Sequence, residues 1–335
     1  MTSVDVASAP IAELLRQQAA DYRNQQSALP LDVDEALSFG SSLRGKVVVV
    51  TGSGSGFGAG YAREAAKNGA KVVLSDRNKD AVEAVAKEIR AAGGEATAVA
   101  CDVTSWDEQV KMFRHGVDTF GPIDVVVANA GIAEGGNRFM DLRPGEDGEP
   151  TEPRMNTTHV NVIGAAYTVK LAFFHLTRNP VKDGKAITIL GSMASFFGLP
   201  GAPMYSTSKH AVLGMMRSLQ YDAAVYNISM NIVNPWFVKT NIFGAVPLLL
   251  LAGIPLATVD EVVAAMIAAT SKTDAHAAAF VVDFKGILQV PLAEHEKGTY
   301  YRNFMDRATG LIGFGKWVAD CIAAVGVAIK RRSLA

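Results

Sequence analysis

Tyr205 and Lys209 stand four residues apart, near the start of a segment whose apolar residues have helical spacing. On a helix this spacing places both side chains on one face. A phenol has a pKa of about 10, too high for a base near neutrality. An ammonium about 4 Å away can stabilise the phenolate by about 4 kcal/mol in a partly buried site. The pair is a candidate acid/base, although a solvated pair on a helix surface has the same spacing.

Two serines are candidates for holding a substrate oxygen beside Tyr205. Ser192 ends a predicted strand, and Ser195 follows three residues later. Ligands of parallel α/β sheets bind at the carboxyl ends of the strands, so either hydroxyl can lie near the reaction. Asn161 is a polar residue inside an apolar helical run. It is either a hydrogen-bonded buried amide or a relay that orders water near Lys209.

A glycine-rich segment, residues 51–58, follows the first predicted strand and opens a helix. In this context backbone N–H groups at the helix N-terminus can hold a phosphate, and glycine permits the close approach. Asp76 ends the next strand, where a carboxylate can accept hydrogen bonds from ribose hydroxyls. It would repel a 2′-phosphate about 4 Å away by about 4 kcal/mol, which favours NAD over NADP. Arg77 keeps NADP possible, because a guanidinium can bind that phosphate.

The elements that must position these residues alternate along the chain. Short apolar runs predict seven strands, with helical patterns between them, at residues 47–50, 72–74, 96–100, 125–128, 186–190, 229–233 and 280–282. This alternation is typical of an α/β protein with a doubly wound parallel sheet of about seven strands, a Rossmann fold. We expect an N-terminal extension at 1–43, one dinucleotide-binding catalytic domain at 44–290 and a C-terminal extension at 291–335.

Composition excludes several functional classes. The 335 residues are 49% hydrophobic and 19% charged, with a formal net charge of -1, which indicates a globular protein and not a nucleic-acid-binding one. The two cysteines, Cys101 and Cys321, fit neither a disulfide framework nor a metal site. No signal peptide or membrane-spanning segment is expected, so the predicted location is cytoplasmic. Peripheral membrane association through the C-terminal tail is the alternative.

Together, the motifs resemble the tyrosine-dependent short-chain dehydrogenases/reductases. They occur in the family's order within residues 44–290, as Thr51-Gly52-x-x-x-Gly56-x-Gly58, Cys101-Asp102-Val103, Asn129-Ala130-Gly131, Asn161, Ser192, Tyr205-x-x-x-Lys209, and Asn234-Pro235 with Thr240. The pattern is most similar to 15-hydroxyprostaglandin-dehydrogenase-like members. The resemblance implies that Asn161, Ser192, Tyr205 and Lys209 are the catalytic tetrad, with Tyr205 as acid/base.

The resemblance also implies how a cofactor is held. Lys209 would contact the nicotinamide ribose, Asp102 and Val103 the adenine, and Val238 and Thr240 the carboxamide. The whole predicted cofactor set is Gly52, Ser55, Gly56, Phe57, Gly58, Asp76, Arg77, Asp102, Val103, Asn129, Ala130, Gly131, Tyr205, Lys209, Pro235, Val238 and Thr240. The family usually has a glycine after Pro235, and here Trp236 replaces it. The local backbone and the pocket floor therefore cannot be carried over from the family.

Apolar side chains are expected around the reacting carbon, from Met193, Phe197, Trp236 and Phe237. Unless these residues are core, such a lining favours a bulky hydrophobic secondary alcohol or ketone over a sugar or a charged acid. The predicted function is that of an NAD-dependent oxidoreductase acting on CH–OH groups, as a homo-oligomer (dimer or tetramer). The alternatives are an NADPH-dependent carbonyl reductase and a non-catalytic dinucleotide-binding regulatory protein.

Overall fold

The computed structural model describes residues 28–291, apart from 135–138, 140, 141, 182, 200, 239–255 and 273. The strands are β1 (Leu29–Leu31), β2 (Val47–Thr51), β3 (Lys71–Asp76), β4 (Glu95–Ala100), β5 (Val125–Ala128), β6 (Lys185–Leu190), β7 (Ile228–Pro235), β8 (Ala279–Asp283) and β9 (Gly286–Val290). The α-helices of six or more residues are α1 (Val33–Ser38), α2 (Gly56–Lys67), α3 (Lys79–Ala91), α4 (Trp106–Phe120), α5 (Ala165–Leu176), α6 (Pro203–Val225) and α7 (Val259–Ser271). A π-helical segment, His159–Gly164, leads into α5.

These strands form a nine-stranded sheet in the order β1-β9-β8-β7-β6-β5-β2-β3-β4. Strands β2 to β8 pair in parallel, whereas β9 and β1 are antiparallel additions at one edge. The strand order reverses between β2 and β5, which lie side by side. Chain segments leaving these two strands turn to opposite faces of the sheet, which opens a crevice at their carboxyl ends. The predicted doubly wound parallel sheet is confirmed, with all seven predicted strands present.

Burial of both sheet faces explains why the strands are so apolar. Val48 and Val50 of β2 pack into the core on one face, and Val47 and Val49 pack into the core on the other. A parallel strand covered by helices on both sides buries every side chain, so it appears in sequence as an unbroken apolar run. The glycine loop and Asn129 follow the buried ends of β2 and β5, so a rigid layer holds them.

Residues 29–43, within the predicted N-terminal extension, continue the sheet and its core. Strand β1 pairs with β9, and Leu31, Ala36 and Leu43 are buried in the core. A three-residue strand that contains Pro30 has too little periodicity to be predicted, and proline is tolerated because β1 is an edge strand. The domain boundaries at residues 44 and 290 stay a prediction, and residues 292–335 lie outside the described part.

The His276 ring lies between β7 and α6, and its hydrogen bonds require a neutral ring although the residue as a whole is exposed. Its Nδ1 accepts a hydrogen bond of 3.2 Å from the Met230 N–H, and its Nε2 lies 3.1 Å from the Gln220 carbonyl oxygen. A protonated Nδ1 would lose its acceptor role. Burial lowers the pKa of His276 from its ordinary value of 6.5, and the hydrogen bond with Gln220 offsets part of that effect.

Stability should therefore fall as the pH is lowered below 6.5, because the unfolded chain takes up a proton that the folded chain excludes. Urea unfolding on either side of this pH measures the effect. His276→Asn should reduce the pH dependence, since its Oδ1 can accept the same N–H without titrating. Part of the pH dependence should remain in this variant, because burial also lowers the pKa of His175. An undiminished pH dependence in the Asn variant would contradict the role given to His276.

Candidate active site

A cavity of about 510 Å³ lies at the carboxyl ends of the central strands. It brings together most of the residues predicted to hold the cofactor, the acid/base pair and the apolar substrate. Its walls include the predicted residues Gly52, Ser55, Gly56, Phe57, Asp76, Arg77, Asp102, Val103, Asn129, Ala130, Gly131, Ser192, Met193, Phe197, Tyr205, Lys209, Pro235, Trp236, Phe237 and Val238. Gly58 and Asn161 lie behind the wall, and Thr240 lies outside the described residues.

The glycine loop opens helix α2 in a conformation suited to an anion. Gly56 has φ +56°, and a Cβ on it would meet no atom within 4 Å, so its open side faces free space. The N-cap residue Ser55 makes no side-chain cap hydrogen bond, which leaves the first N–H groups of the helix available. A Cβ on Gly58 would overlap the Gly52 carbonyl oxygen and the Asn129 side chain. Gly58 is thus needed for packing rather than for ligand contact.

Asn129 joins the glycine loop to the end of β5. Its Nδ2 donates to the carbonyl oxygens of Thr51 and Gly52, at 2.8 and 2.9 Å. The Thr51 Oγ1 accepts from the N–H groups of Asn129 and Ala130, both at 3.1 Å. The Asn129 Oδ1 is buried and has no hydrogen-bond partner. This network holds the two sides of the crevice together, with one unused acceptor in its wall.

Asp76 is fixed at the end of β3 by two backbone N–H groups. Its Oδ2 accepts from Gly54 at 3.1 Å, and its Oδ1 accepts from Asn78 at 2.9 Å. The neighbouring Asp102 accepts from both the N–H and the hydroxyl of Thr104, which lower the pKa of its carboxyl group. The positive charge of Arg77 lowers it further. Two carboxylates and one guanidinium therefore lie at the end of the cavity where the sequence predicts the adenosine.

Tyr205 and Lys209 lie one turn apart on α6 and both face the cavity. The Lys209 Nζ is 5.6 Å from the centre of the Tyr205 ring and donates to the Leu190 carbonyl oxygen at 2.9 Å. Ser192 follows β6 and makes a side-chain hydrogen bond with Tyr205. A hydroxyl, a phenol and an ammonium thus converge at the end of the cavity opposite Asp76.

Burial controls the ionisation of this group. It raises the pKa of Tyr205 above 10.0, and the hydrogen bond with Ser192 opposes that rise. It lowers the pKa of Lys209 from 10.5 to about 8. Desolvation has the largest effect on the phenol pKa, and the Lys209 ammonium donates to Leu190, so the effect of its charge on the phenol stays a prediction. Burial therefore favours the neutral, protonated phenol of Tyr205.

The structure separates the roles of the two candidate serines. Ser195 is buried, and its Oγ accepts from the Ser192 N–H at 3.2 Å. The Asn234 Oδ1 accepts from the same N–H at 3.1 Å. Ser192 lines the cavity and Ser195 does not. Ser195 and Asn234 therefore orient Ser192, which is the serine placed beside Tyr205.

Asn161 holds the loop after β5 against α6. Its Oδ1 accepts from the Ile132 N–H at 2.8 Å, and its Nδ2 donates to the Ile132 carbonyl at 3.0 Å and to the Ser208 hydroxyl at 3.0 Å. It lies in the π-helical segment before α5, and such segments are frequent at functional sites. Its side-chain amide is fully engaged with protein groups, which corresponds to the hydrogen-bonded buried amide of the sequence analysis.

A family model for short chain dehydrogenases matches residues 46–247. The chain belongs to the short-chain dehydrogenase family. This shows the predicted family resemblance to be correct, and with it an oxidoreductase of a family that binds NAD(P). The closer likeness to 15-hydroxyprostaglandin-dehydrogenase-like members stays a prediction.

Relatives of this short-chain dehydrogenase match about three fifths of its length. A hydroxynaphthalene reductase-like protein of Metarhizium guizhouense is 32% identical over 206 residues, 61% of this chain and 72% of that protein. Short-chain dehydrogenase reductase 3a of Arabidopsis thaliana is 35% identical over 205 residues, 61% and 75% of the two chains. The structure of a 3-ketoacyl-(acyl-carrier-protein) reductase from Brucella melitensis complexed with NADH has a TM-score of 0.63 at 29% identity, covering 72% of this chain and 98% of that one.

Aromatic side chains form one part of the cavity wall of the dehydrogenase. The Trp236 ring lies 5.9 Å from Phe197 and 4.9 Å from Phe237, between ring centres. Phe197 is 39% exposed, so it is not a core residue. The backbone N–H of Trp236 donates to the Val282 carbonyl oxygen at 2.7 Å, and the φ of Trp236 is not positive. Trp236 therefore replaces the family's glycine without backbone strain, and its ring forms part of the cavity wall.

Sequence reasoning missed several residues of the dehydrogenase site. The cavity is also lined by Cys101, Ile132, Ala133, Val160, Leu190, Gly191, Ala194, Leu199 and Val259. Glu134 lies next to this wall, and its carboxylate accepts from the Tyr205 N–H. These residues belong mostly to loops, and their side chains carry no periodic signal. Two signals could have identified some of them: Cys101 belongs to the motif Cys101-Asp102-Val103, and Ile132 and Ala133 directly follow Asn129-Ala130-Gly131.

Two further findings concern the described residues alone. Among the described residues, no helix combines the length and the apolar character needed to cross a membrane. In the same part of the chain, no group of three or more His, Cys, Asp or Glu side chains is arranged to hold a metal ion.

Proposed function

We propose that this protein transfers a hydride between NAD and a bulky hydrophobic secondary alcohol or ketone, with Tyr205 as the acid/base. One observation carries the proposal: a single cavity joins the glycine loop and Asp76 at one end to Ser192, Tyr205 and Lys209 at the other. A dinucleotide held along the cavity would place its reactive end beside the phenol, as hydride transfer requires.

The residues present fit such a dinucleotide. The open side of Gly56 and the uncapped start of α2 suit a pyrophosphate, and the unpartnered Asn129 Oδ1 offers an acceptor in the wall. Asp76 suits ribose hydroxyls, and Asp102 and Val103 suit the adenine. Val238 and Pro235 lie at the opposite end with Lys209. When bound, NAD supplies a nicotinamide carbon that accepts or returns a hydride.

Side chains of the protein donate and accept the proton in the proposed reaction. In the reductive direction the protonated Tyr205 donates its proton to the ketone oxygen, while Ser192 holds that oxygen. In the oxidative direction the Tyr205 phenol first releases its proton to solvent, and the phenolate, stabilised by the Lys209 ammonium, then takes the carbinol proton. Asn161 orients the loop after β5, and Ser195 orients Ser192. The raised pKa of Tyr205 favours the protonated phenol, which is the form that the reductive direction needs.

Asp76 is the reason to propose NAD over NADP. Its carboxylate is held by Gly54 and Asn78, so it cannot swing away from a 2′-phosphate. Arg77 is the observation that favours the second candidate, an NADPH-dependent carbonyl reductase. Its charge, however, already acts on Asp102. A guanidinium beside two carboxylates is a weaker phosphate site than a free one.

The aromatic residues of the cavity wall favour a large, flat substrate. Phe197, Trp236 and Phe237 offer ring faces and edges, and Met193 adds an adaptable apolar surface. One relative is named for hydroxynaphthalene reduction, which supports ring-containing ketones as the first compounds to test.

We also propose that the protein assembles as a dimer or tetramer, which light scattering would test. A cytoplasmic location is a further proposal, which cell fractionation would test.

The test is a screen of apolar secondary alcohols with NAD, and of the matching ketones with NADH and NADPH, followed by the absorbance of the reduced cofactor. Turnover of bulky alcohols with NAD would support the proposal. Tighter binding and faster turnover with NADPH would favour the carbonyl reductase. Binding of NAD without turnover of any compound would favour the non-catalytic alternative.

Phe197→Ala tests the substrate wall. Loss of a ring at the cavity surface should raise KM for bulky aryl ketones about tenfold and change KM for small ketones little, because only the large compounds reach the ring. Phe174→Ala, which removes an exposed ring outside the cavity wall, is the matched control. An equal change in KM for small and bulky ketones would contradict this role of Phe197.

A further inference from the structure

Glu134 reaches across from the loop after β5 to the start of α6. Its Oε2 accepts a hydrogen bond of 2.9 Å from the backbone N–H of Tyr205. The two residues are separated by 71 positions in the sequence, so this is a tertiary contact. It joins the loop after β5, which lines the cavity, to the helix that carries the phenol.

Helix α6 has no other side-chain cap at this end. Its N-cap residue, Ala202, has no side chain that can accept a hydrogen bond, and Pro203 at the first helical position has no N–H to donate. Tyr205 is the third residue of the helix, where an N–H has no partner inside the helix. A carboxylate there also interacts favourably with the positive end of the helix dipole. Glu134 therefore performs the task of a helix cap from a distant loop.

The opposite side of the Tyr205 backbone is held as well. The Ser208 hydroxyl donates to the Tyr205 carbonyl oxygen at 2.7 Å and accepts from the Asn161 Nδ2 at 3.0 Å. Asn161 in turn holds both backbone groups of Ile132, two residues before Glu134. The N–H and the carbonyl of Tyr205 are thus both tied, directly or through Asn161, to one loop.

We propose that Glu134 is a positioning residue that fixes the main chain of Tyr205, and with it the phenol, relative to the substrate. The inference rests on the proposed function, because it takes Tyr205 as the acid/base. A misplaced phenol slows proton transfer more than it weakens cofactor binding, because the residues proposed to hold the pyrophosphate and the adenosine lie at the other end of the cavity. Glu134 itself need not touch the substrate.

The test compares Glu134→Ala with Glu134→Gln. The Ala variant should lower kcat about tenfold and leave the Kd of NADH unchanged. It should also speed amide hydrogen exchange at the start of α6. The Gln variant keeps an acceptor oxygen and should retain kcat within about threefold. If the Ala variant does not fold, Glu134→Asp, shorter by one methylene, should show the same loss of kcat.

Asp32→Ala is the matched control. Asp32 caps α1, a helix that lines no part of the cavity, by accepting from the Glu35 N–H at 2.7 Å. Its loss should lower thermal stability without lowering kcat. The inference would be overturned if Glu134→Ala had the kcat and the amide exchange rates of the wild type. It would also be overturned if the loss of kcat came with an equal loss of NADH affinity. If Tyr205→Phe stayed fully active, the proposed function itself would fail, which is a different result from an indifferent Glu134.

Discussion

Tyr205→Phe is expected to lower kcat for both alcohol oxidation and ketone reduction by about 10²–10⁴-fold, the range of general acid–base catalysis. The substitution removes only the hydroxyl that Ser192 contacts and leaves the ring in place. Because the cofactor is proposed to bind along the whole cavity, the Kd of NADH should change less than about threefold. Steady-state kinetics and fluorescence titration of NADH measure the two quantities separately.

Tyr226→Phe provides the control for Tyr205→Phe. Tyr226 follows the end of α6 and is 40% exposed, so the same atom is removed outside the cavity wall. Its kcat should match the wild type. A Tyr205→Phe enzyme with full kcat would refute the acid/base role, and a parallel loss of NADH affinity would show that the phenol mainly shapes the cofactor site.

Asp76→Asn is expected to raise the affinity for NADPH by about 10–100-fold and to lower the affinity for NADH. Two unit charges about 4 Å apart repel by about 4 kcal/mol at an effective dielectric of about 20, and partial exposure and salt reduce that value. The Asn side chain keeps an oxygen for the Gly54 N–H, so the loop should retain its shape. Titration of the variant and the wild type with NADH and NADPH at fixed ionic strength gives the change in each affinity.

Arg77→Ala distinguishes the two cofactor hypotheses. If Arg77 binds a 2′-phosphate, its loss lowers NADPH affinity strongly and NADH affinity little. If Asp76 alone sets the preference, as we propose, Arg77→Ala changes both affinities similarly. A wild-type protein that binds NADPH more tightly than NADH would contradict the cofactor assignment, and the carbonyl reductase would then be the better description.

The strands and the glycine loop were predictable because their sequence signals are local. Four adjacent valines in β2 follow from burial on both faces, and the glycines of residues 52–58 follow from positive φ at Gly52 and Gly56 and from the tight packing of Gly58. The four-residue spacing of Tyr205 and Lys209 likewise survives in the structure, since α6 is regular there. These features depend on a few neighbouring residues, so one sequence suffices to find them.

Contacts between distant loops were not predictable from the sequence. The Glu134 carboxylate and the Tyr205 N–H meet only because β5 and β6 are neighbours in the sheet, and nothing near residue 134 signals that partner. Burial also decided the phenol pKa, and a helical spacing carries no information about burial. Strand β1 was missed for a related reason, because its three residues become a strand only beside β9.

Transfer of deuterium tests the central claim most directly. A panel of bulky secondary alcohols, each deuterated at the carbinol carbon, is incubated with NAD and the wild-type protein, and the nicotinamide C4 of the product is analysed by mass spectrometry and NMR. We predict deuterium at C4 with at least one apolar alcohol, and almost none with the Tyr205→Phe protein. Reduced cofactor that carries no deuterium, or transfer that is undiminished in Tyr205→Phe, would contradict the account.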